Sequence, residues 1–360
     1  MKKNFIQVVL LSAALFLTAC AAASAPEAAQ QAANSEEAGH GAGLSTVVLY
    51  SNALSDGRGE WIQEQAALIG LDVQLVDGGG VAIANRLIAE RYNPLADVVF
   101  GLNQMLWIAL EENNVLAPYS PEWALEVPAH LNHDAGLYHA VILVGNLLTY
   151  DMGQISPEYA PEDWLDLWQN EAFHGRYAIP NALTGSTVQM ILSGIFNRFL
   201  DPGGHLGISD DGWENIAAKF RYGVVTDLDM FAEIVNPSSD AAMSQMWSHG
   251  VPVREEQFGI QAGIVVPEVG VPFSIEGVAL INGANNPEAA IRFIDWFGTS
   301  EVMHAFSYEF GFLPAHPDAL EGLGGMTLTV ADIPHQEINW PVVAAGIGEW
   351  LEHIYLEYMQ

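Results

Sequence analysis

Three apolar runs, Val47-Val48-Leu49-Tyr50, Leu71 to Val76 and Ala96-Asp97-Val98-Val99-Phe100, read as buried strands. Between them lie two stretches of helical spacing. Glu60 to Ile69 offers Trp61, Ala66 and Leu68 to a core, and Val81 to Arg91 offers Val81, Ala84, Leu87 and Ile88. Leu106 to Asn113 continues as a further helix. Strands that alternate with helices at this spacing need a parallel sheet covered on both faces, which makes the class α/β. The strands end in polar turns, Ser51 to Gly59 and Asp77-Gly78-Gly79-Gly80.

The pattern continues downstream. Residues 137–150 are one long apolar stretch. Pro161-Glu162-Asp163-Trp164 has the look of a helix start, with proline near N1 and acids in the first turn. Ala178-Ile179-Pro180 predicts a short strand, Thr187 to Leu200 a helix and Val271 to Ile281 a strand. Asn286-Pro287-Glu288 predicts a capped helix, Ser300-Glu301 caps the next, and residues 338–358 predict a C-terminal helix.

The 360 residues carry 44 Asp plus Glu against 11 Lys plus Arg, a formal charge of −33, and lysine occurs only at Lys2, Lys3 and Lys219. Charged residues total 15%, below a typical share of about 25%. The acidity therefore reflects missing bases. Without a cationic surface to displace phosphate counterions, nucleic-acid binding is excluded. Half the residues are hydrophobic, which excludes disorder of the whole chain.

Lys2 and Lys3 precede an apolar segment, Phe5 to Leu17, that is too short to span a membrane comfortably and fits a secretory signal over residues 1–19. It ends in Leu17-Thr18-Ala19-Cys20, which resembles a bacterial lipobox whose cysteine carries the lipid. Cys20 is the one cysteine, so the folded part has neither a disulfide nor a thiolate site. Residues 20–44 are rich in Ala, Glu, Gln, Ser and Gly and read as a flexible tether.

Four motifs then occur in order. Ala96-Asp97-Val98-Val99-x-Gly101-Leu102 is the first. Pro161-x-Asp163-Trp164-x-x-Leu167-Trp168 followed by Gly175-Arg176-Tyr177-Ala178-Ile179-Pro180-Asn181 is the second. Asn285-Asn286-Pro287-Glu288-Ala289-Ala290 with Phe293-Ile294, and Phe310 to Pro317, complete the set. Together they resemble the bacterial extracellular solute-binding proteins that serve ABC importers of the iron, thiamine, polyamine and phosphonate group. The resemblance implies a two-lobe periplasmic-binding-protein fold of type II with a ligand cleft between the lobes. It implies a first lobe over 45–150, a second over 151–271, and a return over 272–360 that includes the C-terminal helix. It also implies a non-enzymatic monomer without a cofactor, which hands a small solute to permease subunits and touches the membrane only through its lipid.

Loops at the carboxyl ends of the strands are the expected ligand contacts. They supply Ser51 and Asn52, Gly79 and Gly80, and Asn103 and Gln104. Thr184-Gly185-Ser186-Thr187 opens a helix, where hydroxyls and free amides suit a phosphonate or carboxylate. With so few bases in the chain, an anionic group is expected to rest mainly on the Gly79 and Gly185 loops. Trp247 and Glu276 match, by the resemblance, a stacking tryptophan and an amine-holding carboxylate of the polyamine-binding relatives, and together make a sensible cation site. A zwitterion such as an aminophosphonate, or an organic cation such as thiamine or a polyamine, is the expected ligand. No adjacent tyrosine pair exists for ferric iron. His130, His133 and His139 are the candidates for an alternative metal receptor. A surface-anchored hydrolase is the rival from another class, although Gly-x-Ser-x-Gly is absent.

Overall fold

The computed structural model describes residues 44–359. The leader, Cys20 and the tether up to residue 43 lie outside the described residues. The first elements are β1 (Ser45–Ser51), α1 (Arg58–Leu68), β2 (Leu71–Asp77), α2 (Gly80–Glu90), β3 (Val98–Gly101) and α3 (Gln104–Glu112). β1 pairs in parallel with β2 and β3, and Leu49 sits between Leu75 and Val98. Both faces of this sheet are covered. Val47, Phe100, Phe293, Phe297 and Phe306 pack on one side, and Ile83, Leu87, Val99 and Trp107 on the other. The helical stripe of α1 differs from expectation, since Leu68 is 79% exposed while Ile62 and Ala66 are buried.

The later strands are β4 (Leu116–Ala117), β5 (His139–Asp151), β6 (Ala178–Pro180), β7 (Leu200–His205), β8 (Val224–Thr226), β9 (Met243–Trp247), β10 (Ala262–Val265), β11 (Phe273–Ile281) and β12 (Leu313–Pro314). The later helices are α4 (Asp166–Gln169), α5 (Ser186–Asn197), α6 (Asp210–Tyr222), α7 (Met230–Ile234), α8 (Gly250–Phe258), α9 (Pro287–Phe297), α10 (Ser300–Phe310), α11 (Met326–Ala331) and α12 (Trp340–Glu357).

β5 explains the long apolar stretch. All thirteen of its residues are buried, and it serves two sheets in turn. Up to Gly145 it pairs antiparallel with β11 and β12; from Asn146 onward it pairs antiparallel with β9 and β10. β11 also joins β3, so the first sheet runs β2-β1-β3-β11-β5. Asn146 marks the change of partners. Its Nδ2 donates to the carbonyls of Val144 and Pro272 and to Ser274 Oγ, at 3.1 to 3.2 Å.

Two local expectations give way to tertiary contacts. The helix expected from Pro161 shrinks to four residues of α4, because Asp166 Oδ2 accepts from the amides of Glu162 and Asp163 and holds them in a turn. Asn286 does not cap α9 with its side chain, because its Nδ2 donates to buried Asp97. The expected C-terminal helix forms as α12, which buries Val343, Trp350, Leu351 and Ile354 in a cluster with Met105 of α3, Phe196 of α5 and Trp213 of α6. Trp350 Nε1 donates to the Leu206 carbonyl at 2.9 Å and fixes that docking. Among the described residues no helix is long and apolar enough to cross a membrane.

Lys219 on α6 is only 2% exposed, and its Nζ lies 5.5 to 5.8 Å from the ring centroids of Trp164, Trp168 and Tyr177. Among the described residues no carboxylate pairs with it. Burial lowers its pKa from 10.5 to about 8. The unfolded chain therefore binds more protons between these values, and stability rises with pH across that window. Lys219→Met is expected to stabilise the protein by about 2 kcal/mol at neutral pH, because a buried charge is replaced by an apolar chain of similar length. Urea unfolding should show the advantage shrinking as pH rises from about 8 to about 10; an advantage unchanged with pH would show that charge is not its source.

Candidate ligand cleft

A cavity of about 200 Å³ opens where β5 passes from one sheet to the other. Its walls are Asn52, Ala53, Ser55, Asp56 and Arg58 following β1, Val144 and Asn146 of β5, and Ser274 and Glu276 of β11. Ser186 and Thr187 at the start of α5, with Trp247 and His249 at and after the end of β9, close the other side. Two larger hollows, about 680 and 630 Å³, contain none of the expected ligand residues.

Local geometry sets each wall. Asn52 Oδ1 accepts from the Leu102 amide at 2.7 Å, which folds the loop after β3 over it. That approach needs Gly101, since a Cβ there would come within 2.4 Å of Asn52 Oδ1 and its φ is +95°. Asn103 caps α3 through Leu106 N, and its Nδ2 reaches across to Ser186 Oγ at 3.2 Å, joining the two sides of the cleft. α5 begins at Gly185, which is extended and supplies no side-chain cap. The first amides of this twelve-residue helix thus lie open beside the Ser186 and Thr187 hydroxyls, a favourable place for negative charge.

The charged groups are unequal. Arg58 is 8% exposed, lies 5.5 Å over the Phe312 ring, and is held by Ser55 and by Asp56 Oδ2 at 3.1 Å. Glu276 Oε2 is shielded from solvent and has no hydrogen-bond partner. Burial pushes the Glu276 carboxyl up to about 7, partly offset by the Arg58 charge. His249 Nδ1 is likewise shielded and unpartnered, and burial followed by Arg58 keeps the imidazole well below its usual range and neutral. Trp247 carries Arg254 over its ring at 5.5 Å and presses on α8, where any Cβ at Gly250 would clash with the indole.

A family model for bacterial extracellular solute-binding proteins matches residues 93–324. The chain belongs to that family. A probable ABC transporter periplasmic-binding protein of Sinorhizobium fredii, y4fP, is 33% identical over 317 residues, covering 88% of this chain and 87% of the relative. A Salmonella typhimurium periplasmic protein, named for 2-aminoethylphosphonate binding, is 25% identical over 332 residues, covering 85% and 91%. Among solved structures, a ferric binding protein from Campylobacter jejuni has a TM-score of 0.73 at 17% identity, covering 87% of this chain and 99% of that one. The periplasmic binding protein AfuA from Actinobacillus pleuropneumoniae has a TM-score of 0.70 at 16% identity, covering 87% and 99%. These likenesses show the two-lobe fold.

Of the residues expected in the cleft of this solute-binding protein, Asn52, Ser186, Thr187, Trp247 and Glu276 line one cavity. Gly185 lines a neighbouring hollow of about 330 Å³ that shares Ser186, Thr187 and Trp247. The others lie outside the cavity wall. Ser51 is fully buried and its Oγ accepts from Ala53 N. Gln104 is buried and bonds the Phe273 carbonyl and the Ile275 amide, so it braces β11. Gly80 lies beside Asn52 and Leu106, Gly79 is exposed, and Thr184 is exposed with its carbonyl accepting from Gln189. Arg58 also stands in the cavity, a cation that the expectation of anion binding by the glycine loops did not include.

The histidines do not form a centre. His139 Nε2 donates to the Tyr119 carbonyl at 2.6 Å, while His133 Nε2 lies 3.2 Å from Glu111. Among the described residues, the one group of three ligands close enough for a metal is Glu126, His316 and Asp318, away from the cleft. Arg58, Asn146 and His249 escaped sequence reading. A lone asparagine inside a long apolar strand and a rare arginine after a turn were the available signals.

Proposed function

We propose that this solute-binding protein captures a small zwitterion bearing an ammonium and a phosphonate-like group and delivers it to an ABC permease. The observation that carries the reading is one cavity that pairs the unpartnered Glu276 Oε2 with Arg58 and the open start of α5. An ammonium against Glu276 and Trp247 would give the unpartnered carboxylate a partner, and an anion would rest on Ser186, Thr187 and Arg58. The relative named for 2-aminoethylphosphonate binding supports the same choice. No cavity hydroxyl bonds Glu276 or His249 among the described residues, so no activated nucleophile favours a hydrolase. No tyrosine lines the cavity, which gives ferric iron no phenolate there.

The lobes are proposed to exchange at Asn146 and near Pro272, with α12 lying against both α3 and α5. Lipid attachment at Cys20 and a monomeric state complete the proposal. A thermal-shift panel tests the ligand. At about a hundred times Kd, 2-aminoethylphosphonate should stabilise by about 2.7 kcal/mol, a Tm rise of roughly 5 °C. Thiamine, ferric citrate and glucose should not. Tight binding of glucose would sink the reading, because the buried charges would then lack partners.

A further inference from the structure

Two side-chain atoms in the cavity residues are shielded from solvent and satisfied by nothing, Glu276 Oε2 and His249 Nδ1. Such orphans are rare in folded proteins, and two in the walls of one cavity point to a ligand that supplies what both lack. The carboxylate can only accept once ionised. The imidazole is neutral and sits beside the Arg58 cation, so it can present a ring nitrogen as an acceptor. What is missing is a donor with positive charge and more than one N–H. The other titratable groups on the cavity wall are Arg58 of α1 and Asp56 of the loop before it; β5 and α5 contribute only Val144, Asn146, Ser186 and Thr187. Arg58 cannot be that donor, since no nitrogen of it lies within 4 Å of Glu276 and its contacts are Ser55 and Asp56.

We propose that Glu276 and His249 together select a ligand whose ammonium still carries N–H groups, a primary or secondary amine rather than a quaternary one. This rests on the zwitterion reading above and narrows it. Recognition of a fully methylated ammonium relies on several aromatic faces around the cation. Here Trp247 is the one large aromatic ring on the wall, one face where a methylated head needs several. A trimethylated head would leave both buried acceptors unsatisfied, whereas an N–H head bonds them. In the empty cleft a proton occupies the place of the cation on Glu276. When the ammonium enters, that proton leaves to water, so the Glu276 subsite stays neutral overall while the ligand's anion adds its charge beside Arg58.

The test compares 2-aminoethylphosphonate with its N,N,N-trimethyl analogue, which keeps the chain and both charges, by titration calorimetry. The primary amine is expected to bind about a hundredfold more tightly. His249→Phe should cost the primary amine about tenfold and leave the trimethyl compound unchanged. Circular dichroism and Tm of His249→Phe show whether the variant is folded, and Glu276→Gln supplies a second, less disruptive loss of the same discrimination. Equal or tighter binding of the trimethyl compound overturns the inference while leaving the zwitterion reading intact. Binding of neither compound overturns both.

Discussion

Glu276→Gln is expected to weaken binding of 2-aminoethylphosphonate about a hundredfold, about 2.7 kcal/mol, while making the empty protein more stable above neutral pH. The two effects share one cause. Glu276 Oε2 is enclosed without a partner, and burial raises the carboxyl from 4.5 to about 7. The folded state therefore holds a proton that the unfolded state has lost, and stability falls as pH rises from about 4.5 to about 7. Up to about 3 kcal/mol of destabilisation develops across that window, because each tenfold difference in proton affinity between the two states is worth about 1.4 kcal/mol. A ligand ammonium reverses the balance, since it makes the ionised form welcome. Affinity should rise by up to about tenfold per pH unit below the Glu276 titration and level off above it. Glu276→Gln should flatten that part of the profile. The ligand's own phosphonate titration is common to both proteins and drops out of the comparison.

Asp97→Ala is expected to be the most destabilising single change outside the cleft, about 4 kcal/mol, with Tm lowered by roughly 8 °C. Asp97 is completely buried. Its Oδ2 accepts from Val48 N at 2.9 Å and from Asn286 Nδ2 at 3.1 Å, and its Oδ1 accepts from Asn286 N at 2.7 Å. One carboxylate thus ties β1, β3 and the entry to α9. Alanine would remove the acceptor of two main-chain donors and one side-chain amide, all part-buried, each loss costing about 1 kcal/mol or more before relaxation. Scanning calorimetry checks the result, and a loss below about 1 kcal/mol would mean that water replaces the carboxylate.

What could be read from the residues followed the range of the forces involved. Val47 to Tyr50, Leu71 to Val76 and Ala96 to Phe100 are strands because apolar runs of that length, cut by glycine and asparagine, have few alternatives, and they became β1, β2 and β3. Ser186, Thr187, Trp247 and Glu276 were legible through helix-start chemistry and motif order. Arg58 was not, because its place depends on Phe312, far along the chain. Gln104 looked like a free amide at a strand end, yet its partners lie about 170 residues later on β11. The four-residue α4 shows the converse. Proline and acids favoured a helix opening at Pro161, and a single carboxylate, Asp166, redirected the two amides that would have begun it.

The scarcity of bases gains meaning from the cleft. Of the few cations among the described residues, Arg58 stands in the cavity, Arg254 lies on the ring of Trp247, and Lys219 is buried among aromatic rings. The cations of this acidic protein thus include ones placed at its site and in its core.

Titration calorimetry of the purified protein with 2-aminoethylphosphonate bears most directly on the function. One molecule per chain is expected to bind at micromolar Kd or tighter, with higher affinity at about pH 8 than at about pH 5.5. No detectable heat or thermal shift with this ligand, alongside tight binding of a neutral sugar or of ferric citrate, would contradict it.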